Sequence, residues 1–257
     1  MQIDNHTKEL TMVSTRKGEC ILPDGVVKEC EDILIHEHFL EVSVNGYVTM
    51  RLSCTAEYLA ELVIGRLYTE GLIRSKEDIE RLFLCAKGNI AEVTLREGIS
   101  FQPYQGNEPT CCSGNRQLLA GQGTPGKLPD IEIDRAAVFA MAEYFRADSR
   151  LHRSTSGTHS CYLYLPDGRI VGFEDISRHN ALDKAAGHML LTDADPARCM
   201  LYTTGRVPED MVWKAVMTGV PVLVSKSVPT GTAVEMAKEY GLKLICKAWP
   251  DSYTVYI

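Results

Sequence analysis

The sequence holds no apolar run approaching the roughly 20 residues needed to cross a bilayer, and Met1 to Lys8 carry no apolar signal core. Neither insertion into a membrane nor export is expected. Positive charge is not in excess either: 27 Lys and Arg stand against 34 Asp and Glu, a formal net charge of -7. That balance argues against a nucleic-acid surface driven by bulk charge and leaves room only for a local basic pocket. Cysteine occurs nine times, an odd count scattered along a chain too large to need a disulfide frame, which points to a reducing cytoplasm. There is no internal repeat and no low-complexity tract. What is present is 257 residues with 45% hydrophobic content, enough to bury one large core or two modest ones.

The first part reads as small α+β units. Residues 33–52 alternate as a strand, an Asn45-Gly46 turn and a second strand. Thr55 is expected to cap a helix carrying Leu59, Leu62, Val63 and Leu67, stopped by Gly71. Ser75 to Asp78 resembles a capping box, and Leu82–Cys85 with Ile90–Leu95 form another hairpin around Gly88-Asn89. From Gly98 to Pro129 the chain is rich in Gly, Pro, Gln and Asn, and a loop of that length is usually functional or disordered. Asp134 then caps a helix with Val138, Ala142 and Phe145 on one face, and a hairpin spans Leu163 to Phe173. After Cys199 strands (Met200–Thr203, Val222–Val224, Leu242–Cys246) alternate with helices (Pro208–Met217, Thr232–Tyr240). That alternation implies parallel strands with right-handed crossovers. Ligands bind beyond the carboxyl ends of such strands, here Thr203-Thr204-Gly205-Arg206 and Ser225-Lys226-Ser227. The expected division is a tail at 1–25, a smaller α+β part at 26–100, a cysteine-bearing loop at 101–130 and an α/β domain at 131–257.

The densest chemistry lies in Glu174-Asp175-Ile176-Ser177-Arg178-His179-Asn180-Ala181-Leu182-Asp183-Lys184, where a strand gives way to a helix. Free backbone N–H groups at such a terminus favour an anion such as phosphate. His179 is the better functional candidate among the histidines, with Arg178, Asp175 and Asp183 near it; His159 opens a strand and is a candidate for a polar pocket. His36 and His38 lie two apart without a third ligand, so no metal site is expected. In the long loop, Cys111 and Cys112 are accessible thiols beside Arg116, which can raise their thiolate fraction. Adjacent cysteines are poorly placed for a mutual disulfide and lack zinc-knuckle spacing. Cys30, Cys54, Cys85, Cys161, Cys199 and Cys246 lie in or beside apolar segments and read as small buried hydrophobes.

These residues carry a resemblance. Glu174 to Lys184 resembles the E-D-x-x-R-H-N-A-x-D-K signature of the formate dehydrogenase accessory family, the FdhD sulfurtransferases. Asn45-Gly46 through Met50, Cys54-Thr55 and Leu67 to Ile73 resemble that family's N-terminal hairpin and helix. Ser154 to His159 resembles its T-G-G-x-H loop, with Ser156 in place of a glycine. Thr203 to Arg206 and Val224 to Thr230 resemble its T-S-G-R and S-R-x-A-P-T motifs. The match runs from about Val26 onward.

The resemblance implies a sulfur carrier: a loop cysteine takes sulfur from a cysteine desulfurase as a persulfide. The sulfur then passes to the molybdenum or tungsten bis(molybdopterin guanine dinucleotide) cofactor before its insertion into formate dehydrogenase. It implies a cytidine deaminase-like three-layer α/β/α domain beside the smaller α+β part, a homodimer and no permanently bound metal. The deaminase zinc signature of H-x-E with P-C-x-x-C is absent. Where many members carry C-G-x-C this chain has Cys111-Cys112, so the resemblance leaves open which thiol carries sulfur; Cys111 is taken first, with Cys112 as partner. The residues expected to bind the client cofactor are His159, Arg178, His179, Asn180, Asp183, Arg206, Ser225 and Lys226. The family's C-terminal loop, matched by Cys246, Lys247, Ala248, Trp249, Pro250 and Asp251, joins them. A binding module that hands the cofactor over without sulfur chemistry is the alternative.

Overall fold

Asn45 and Gly46 hold φ values of 49° and 82°, the left-handed backbone of a type I′ turn whose twist suits the strands it joins. Those strands lie in the first sheet of a computed structural model that describes residues 1–99 and 125–257. The strands of this part are β1 (Gln2–Asn5), β2 (Val13–Ile21), β3 (Val27–Ile35), β4 (His38–Val44), β5 (Tyr47–Cys54), β6 (Ile79–Leu84) and β7 (Ile90–Leu95). Five of them form one sheet in the order β1-β6-β7-β4-β5. One face is wet. Along β7, Ala91, Val93 and Leu95 are buried while the residues between them are exposed, the period-2 pattern of a half-solvated sheet.

The helices are α1 (Leu59–Thr69), α2 (Arg135–Asp148), α3 (Arg150–Thr155), α4 (Arg178–Leu191), α5 (Glu209–Thr218) and α6 (Gly231–Tyr240). Every residue of α1 except Glu61 is buried, and a helix apolar on all sides needs cover on all sides. The first sheet covers one side, since Leu40, Val42 and Val44 share a core with Leu62, Val63 and Leu67. Helix α4 covers another at unusually short range. A Cβ at Gly65 would lie 1.7 Å from the carbonyl oxygen of Asp183, and one at Gly187 would lie 2.0 Å from that of Glu61. The two helices therefore cross backbone against backbone.

Beyond α4 lies a second sheet built from β8 (His159–Tyr164), β9 (Ile170–Asp175), β10 (Met200–Thr203), β11 (Val222–Ser225), β12 (Lys243–Trp249) and β13 (Ser252–Val255). Its order is β13-β12-β11-β10-β8-β9, with β10, β11 and β12 parallel as the alternation predicts. Both faces are covered. Leu163, Leu201, Leu223 and Leu244 face the core shared with α1 and α4. Their neighbours Tyr162, Tyr202, Val224 and Ile245 join Val138, Met141 and Phe145 of α2. The expected α/β character, with a smaller α+β part ahead of it, is present. Asp134 caps α2 by accepting from the Ala137 N–H at 3.1 Å, and Gly219 and Gly241 close α5 and α6 at φ values of 77° and 74°.

Several expectations are corrected. Residues 1–25 are not a tail: β1 runs parallel to β6, and β2 pairs with β3 in a two-stranded ribbon. Most residues of that ribbon are exposed on both faces, so it carries no apolar alternation to read. Thr55 does not cap α1, whose N-cap is Tyr58 at φ 56° without a side-chain hydrogen bond. The capping box at Ser75 is real but leads only into a 3-10 turn, Lys76–Asp78. Short α3 and β13 escape periodicity altogether.

Candidate functional site

The run Glu174 to Lys184 divides into residues that turn inward and two that do not. Asp175, at the end of β9, is fully buried and pairs with Lys184 at 2.7 Å. It accepts from the Thr55 N–H at 3.0 Å and from Asn180 Nδ2 at 2.9 Å. Asn180 donates again to the Ser53 carbonyl at 2.8 Å, and Lys184 to Thr55 Oγ1 at 2.6 Å. One turn further, Asp183 accepts from Lys214 and from Thr69 Oγ1, each at 2.7 Å, with Arg66 at 3.5 Å. Glu70 completes this second cluster, 3.2 Å from Arg66 and 3.5 Å from Lys214. Glu174 accepts from the N–H groups of Leu151 and His152 and so caps α3.

Ser53, Thr55, Arg66 and Thr69 belong to the smaller part, so these bonds join it to the α/β domain. Buried charges persist when their partners and hydrogen bonds are complete, as here. Asn180 and Asp183 are thus corrected: they are consumed inside the protein and do not face a ligand.

Arg178 and His179 are different. His179 is 1% exposed, and neither ring nitrogen has a hydrogen-bond partner among the described residues. Burial, with the positive charges of Lys214 and Arg178, holds its imidazole near a pKa of about 3, so it is neutral. Arg178 Nε is likewise buried and unpaired. The Arg178 stem lies against Gly205, where a Cβ would sit 2.8 Å from Arg178 Cδ; only glycine leaves that room.

The other expected residues gather at the carboxyl ends of β10 and β11. Ser225 is buried and ties the two loops there, donating to the Gly205 carbonyl at 2.7 Å and accepting from the Ser227 N–H at 2.9 Å. It is scaffold, a correction to its expected role as a ligand contact. Lys226 Nζ lies 4.7 Å from the ring centre of Phe145 and 5.5 Å from that of Trp249, and burial pulls its pKa down. His159 is held below its ordinary value by burial first and then by Arg178, His152 and Lys226. That mutual influence places three cations around one half-buried imidazole. Arg206 is exposed on the β10–α5 loop.

In the C-terminal segment, Lys247 sits at φ 51° in the irregularity between Cys246 and Trp249, and its N–H donates to the Ser227 carbonyl at 2.8 Å. Trp249 is half-exposed beside Lys226, and Pro250 and Asp251 form the turn into β13. Cys246 and Ala248 are buried and point into the two cores, so neither reaches a ligand.

Sequence reasoning missed Asp210 and Phe145. Asp210 reads as an ordinary acid at a helix start, yet its Oδ2 lies 3.5 Å from His179 Nε2. Phe145 reads as core, which it is, and its ring edge also carries Lys226. His36 and His38 bond to Ser14 and to the Gly88 carbonyl. No group of three or more His, Cys, Asp or Glu side chains among the described residues is disposed to hold a metal.

Cys111 and Cys112 lie outside the described residues. Of the described cysteines, Cys54, Cys161, Cys199 and Cys246 are buried; burial pushes the Cys54, Cys199 and Cys246 thiols up to about 12, and Cys161 higher still. Cys85 is pulled down on balance: backbone N–H groups of the β6–β7 turn outweigh its burial. Alkylation of the native protein with iodoacetamide, read by peptide mass, is expected to label Cys85 and Cys20 and to spare those four. Rapid labelling of Cys161 would show that the second sheet opens.

Residues 35–257 match the model of the FdhD/NarQ family. The chain belongs to that family. Among FdhD relatives, the sulfur carrier protein FdhD of Bacillus subtilis (strain 168) is 31% identical over 238 residues, 90% of this chain and 91% of its own. That of Bacillus licheniformis is 32% identical over 244 residues, 91% of each chain. The crystal structure of a protein assigned as a formate dehydrogenase accessory protein from Desulfotalea psychrophila superposes with a TM-score of 0.77. It is 25% identical and covers 95% of this chain and 96% of its own. No helix among the described residues of this FdhD/NarQ member is long and apolar enough to cross a membrane.

Proposed function

We propose that this protein is a sulfur carrier and sulfurtransferase serving formate dehydrogenase in the cytoplasm. A thiolate at Cys111 or Cys112 attacks the outer sulfur of a persulfide on a cysteine desulfurase. A new S–S bond forms, the donor's S–S bond breaks, and the donor departs as a thiolate. The carrier then passes that sulfur to the molybdenum or tungsten bis(molybdopterin guanine dinucleotide), its client, before the cofactor enters formate dehydrogenase. The observation that carries this reading is the gathering of His159, Arg178 and Lys226 beside Trp249 at the carboxyl edge of the second sheet. Cations there suit the phosphates of a dinucleotide, and an exposed indole suits a flat ring. The relatives named sulfur carriers support the transfer step. The reading includes a homodimer and a cytidine deaminase-like domain, the latter supported by an antiparallel hairpin that leads through a helix into parallel strands.

Intact mass after incubation with a cysteine desulfurase and cysteine tests it. Wild type is expected to gain one sulfur, about 32 Da, removable by reductant and lost in Cys111→Ala or Cys112→Ala. A second reading, cofactor binding without sulfur chemistry, has its own support: the cationic cluster needs no described thiol, and Cys246 in the adjoining strand is buried. No gain of mass in any variant, with cofactor binding retained in the double Cys111→Ala, Cys112→Ala protein, would favour that second reading.

A further inference from the structure

Helices α4 and α5 lie side by side with their acidic and basic residues in register. Near the middle, Asp183 meets Lys214 at 2.7 Å, and every oxygen there has a donor. One turn nearer the helix starts, His179 faces Asp210 across 3.5 Å, and that layer is not closed. Among the described residues six buried side-chain polar atoms have no hydrogen-bond partner, and four belong to this spot: Arg178 Nε, His179 Nδ1, His179 Nε2 and Asp210 Oδ1. Buried polar atoms are almost always paired, so four orphans from three touching side chains mark a place that another molecule completes.

The donors and acceptors restrict what that molecule is. A neutral imidazole offers one N–H and one lone pair, and a carboxylate only accepts. Phosphate, an acceptor with negative charge, is repelled by Asp210. A metal ion is disfavoured by Arg178 and Lys214, whose charges reach the same imidazole. A planar edge carrying an amino group, a ring N–H and a carbonyl meets every demand. The amino group and ring N–H donate to the carboxylate, and the carbonyl accepts from the imidazole N–H.

We infer that Asp210 and His179 form a recognition pocket for the amino-oxo edge of a 2-amino-4-oxopyrimidine ring, the edge that guanine and pterin share. This rests on the proposed function, whose client carries both rings. The ring enters between the starts of α4 and α5, and the attached phosphates extend toward Arg178, His159 and Lys226. Asp210 acts as a specificity residue, because an analogue without the amino group leaves its buried oxygen unpaired.

Calorimetric titration of the full-length protein with guanosine diphosphate, inosine diphosphate and neopterin tests the pocket. Inosine diphosphate lacks only the 2-amino group and is expected to bind wild type roughly tenfold to a hundredfold more weakly than guanosine diphosphate. Asp210→Asn, nearly isosteric, is expected to lose that preference. Competition by neopterin identifies pterin as the ring held; guanosine diphosphate binding that neopterin leaves untouched identifies guanine. Equal binding of the two nucleotides to wild type overturns the inference and leaves the sulfur-carrier reading standing. That comparison needs no variant, so poor folding of Asp210→Asn does not shield it. Failure of all three ligands to bind wild type removes the inference together with cofactor handling, and the mass gain judges sulfur transfer separately.

Discussion

Gly65→Ala is expected to unfold this protein or to lower its stability by on the order of 3 kcal/mol or more. Alanine is ordinarily the better helix residue by about 1 kcal/mol, so propensity alone predicts a gain. Sterics reverse the sign. The new Cβ would lie 1.7 Å from the Asp183 carbonyl oxygen and 2.7 Å from the Gly187 nitrogen. Backbone has no rotamer to escape into, so α1 and α4 must separate, and overpacking of that kind costs about 1–3 kcal/mol before neighbouring contacts are counted. Here they count heavily, because separation pulls Arg66 and Thr69 from Asp183. For a domain of this size the melting temperature is expected to fall by roughly 6–12 °C. Gly187→Ala attacks the same crossing from the other helix, against the Glu61 carbonyl. An unchanged melting temperature in both variants would disprove the close crossing.

Asp183→Ala is expected to cost about 3–5 kcal/mol, because it leaves Lys214 and Arg66 buried with only Glu70 between them. Asp183→Asn keeps an acceptor and should cost less. The exposed pair Arg51–Glu41, closer at 2.9 Å than the Asp183–Arg66 contact, makes the control: Arg51→Ala is expected to cost under about 1 kcal/mol. The difference is burial, since water replaces the lost partner at Glu41 and cannot reach Lys214. Urea unfolding of the three variants measures this. If Asp183→Ala unfolded like wild type and lost only nucleotide binding, Asp183 would face a ligand and the inward assignment would be wrong.

Much of the fold was legible in local chemistry. The Asn45-Gly46 turn, the Asp134 cap, the αL glycines at 219 and 241 and the alternation from Met200 to Trp249 each rest on contacts within a few residues, which is the range a sequence displays. The β2–β3 ribbon was not legible, because a ribbon exposed on both faces has no apolar side to betray it. Thr55 looked like a cap because it precedes a helical stripe; its true partners, Asp175 and Lys184, lie more than a hundred residues away.

The site divides along the same line. The sequence by itself determined that acids, bases and imidazole crowd one strand-to-helix junction, that two loops end parallel strands beside it, and that family membership follows from these motifs. Which members of the crowd are scaffold was decided only by packing. Residue type does not say whether a charge meets a partner or a ligand, and that depends on what the other half of the chain brings near. The smaller part supplies Ser53, Thr55, Arg66 and Thr69, and these satisfy Asp175, Asn180, Asp183 and Lys184. Nothing it supplies reaches Arg178 or His179, and so the two side chains left unpaired by the tertiary structure are the ones that open onto the carboxyl edge of the sheet.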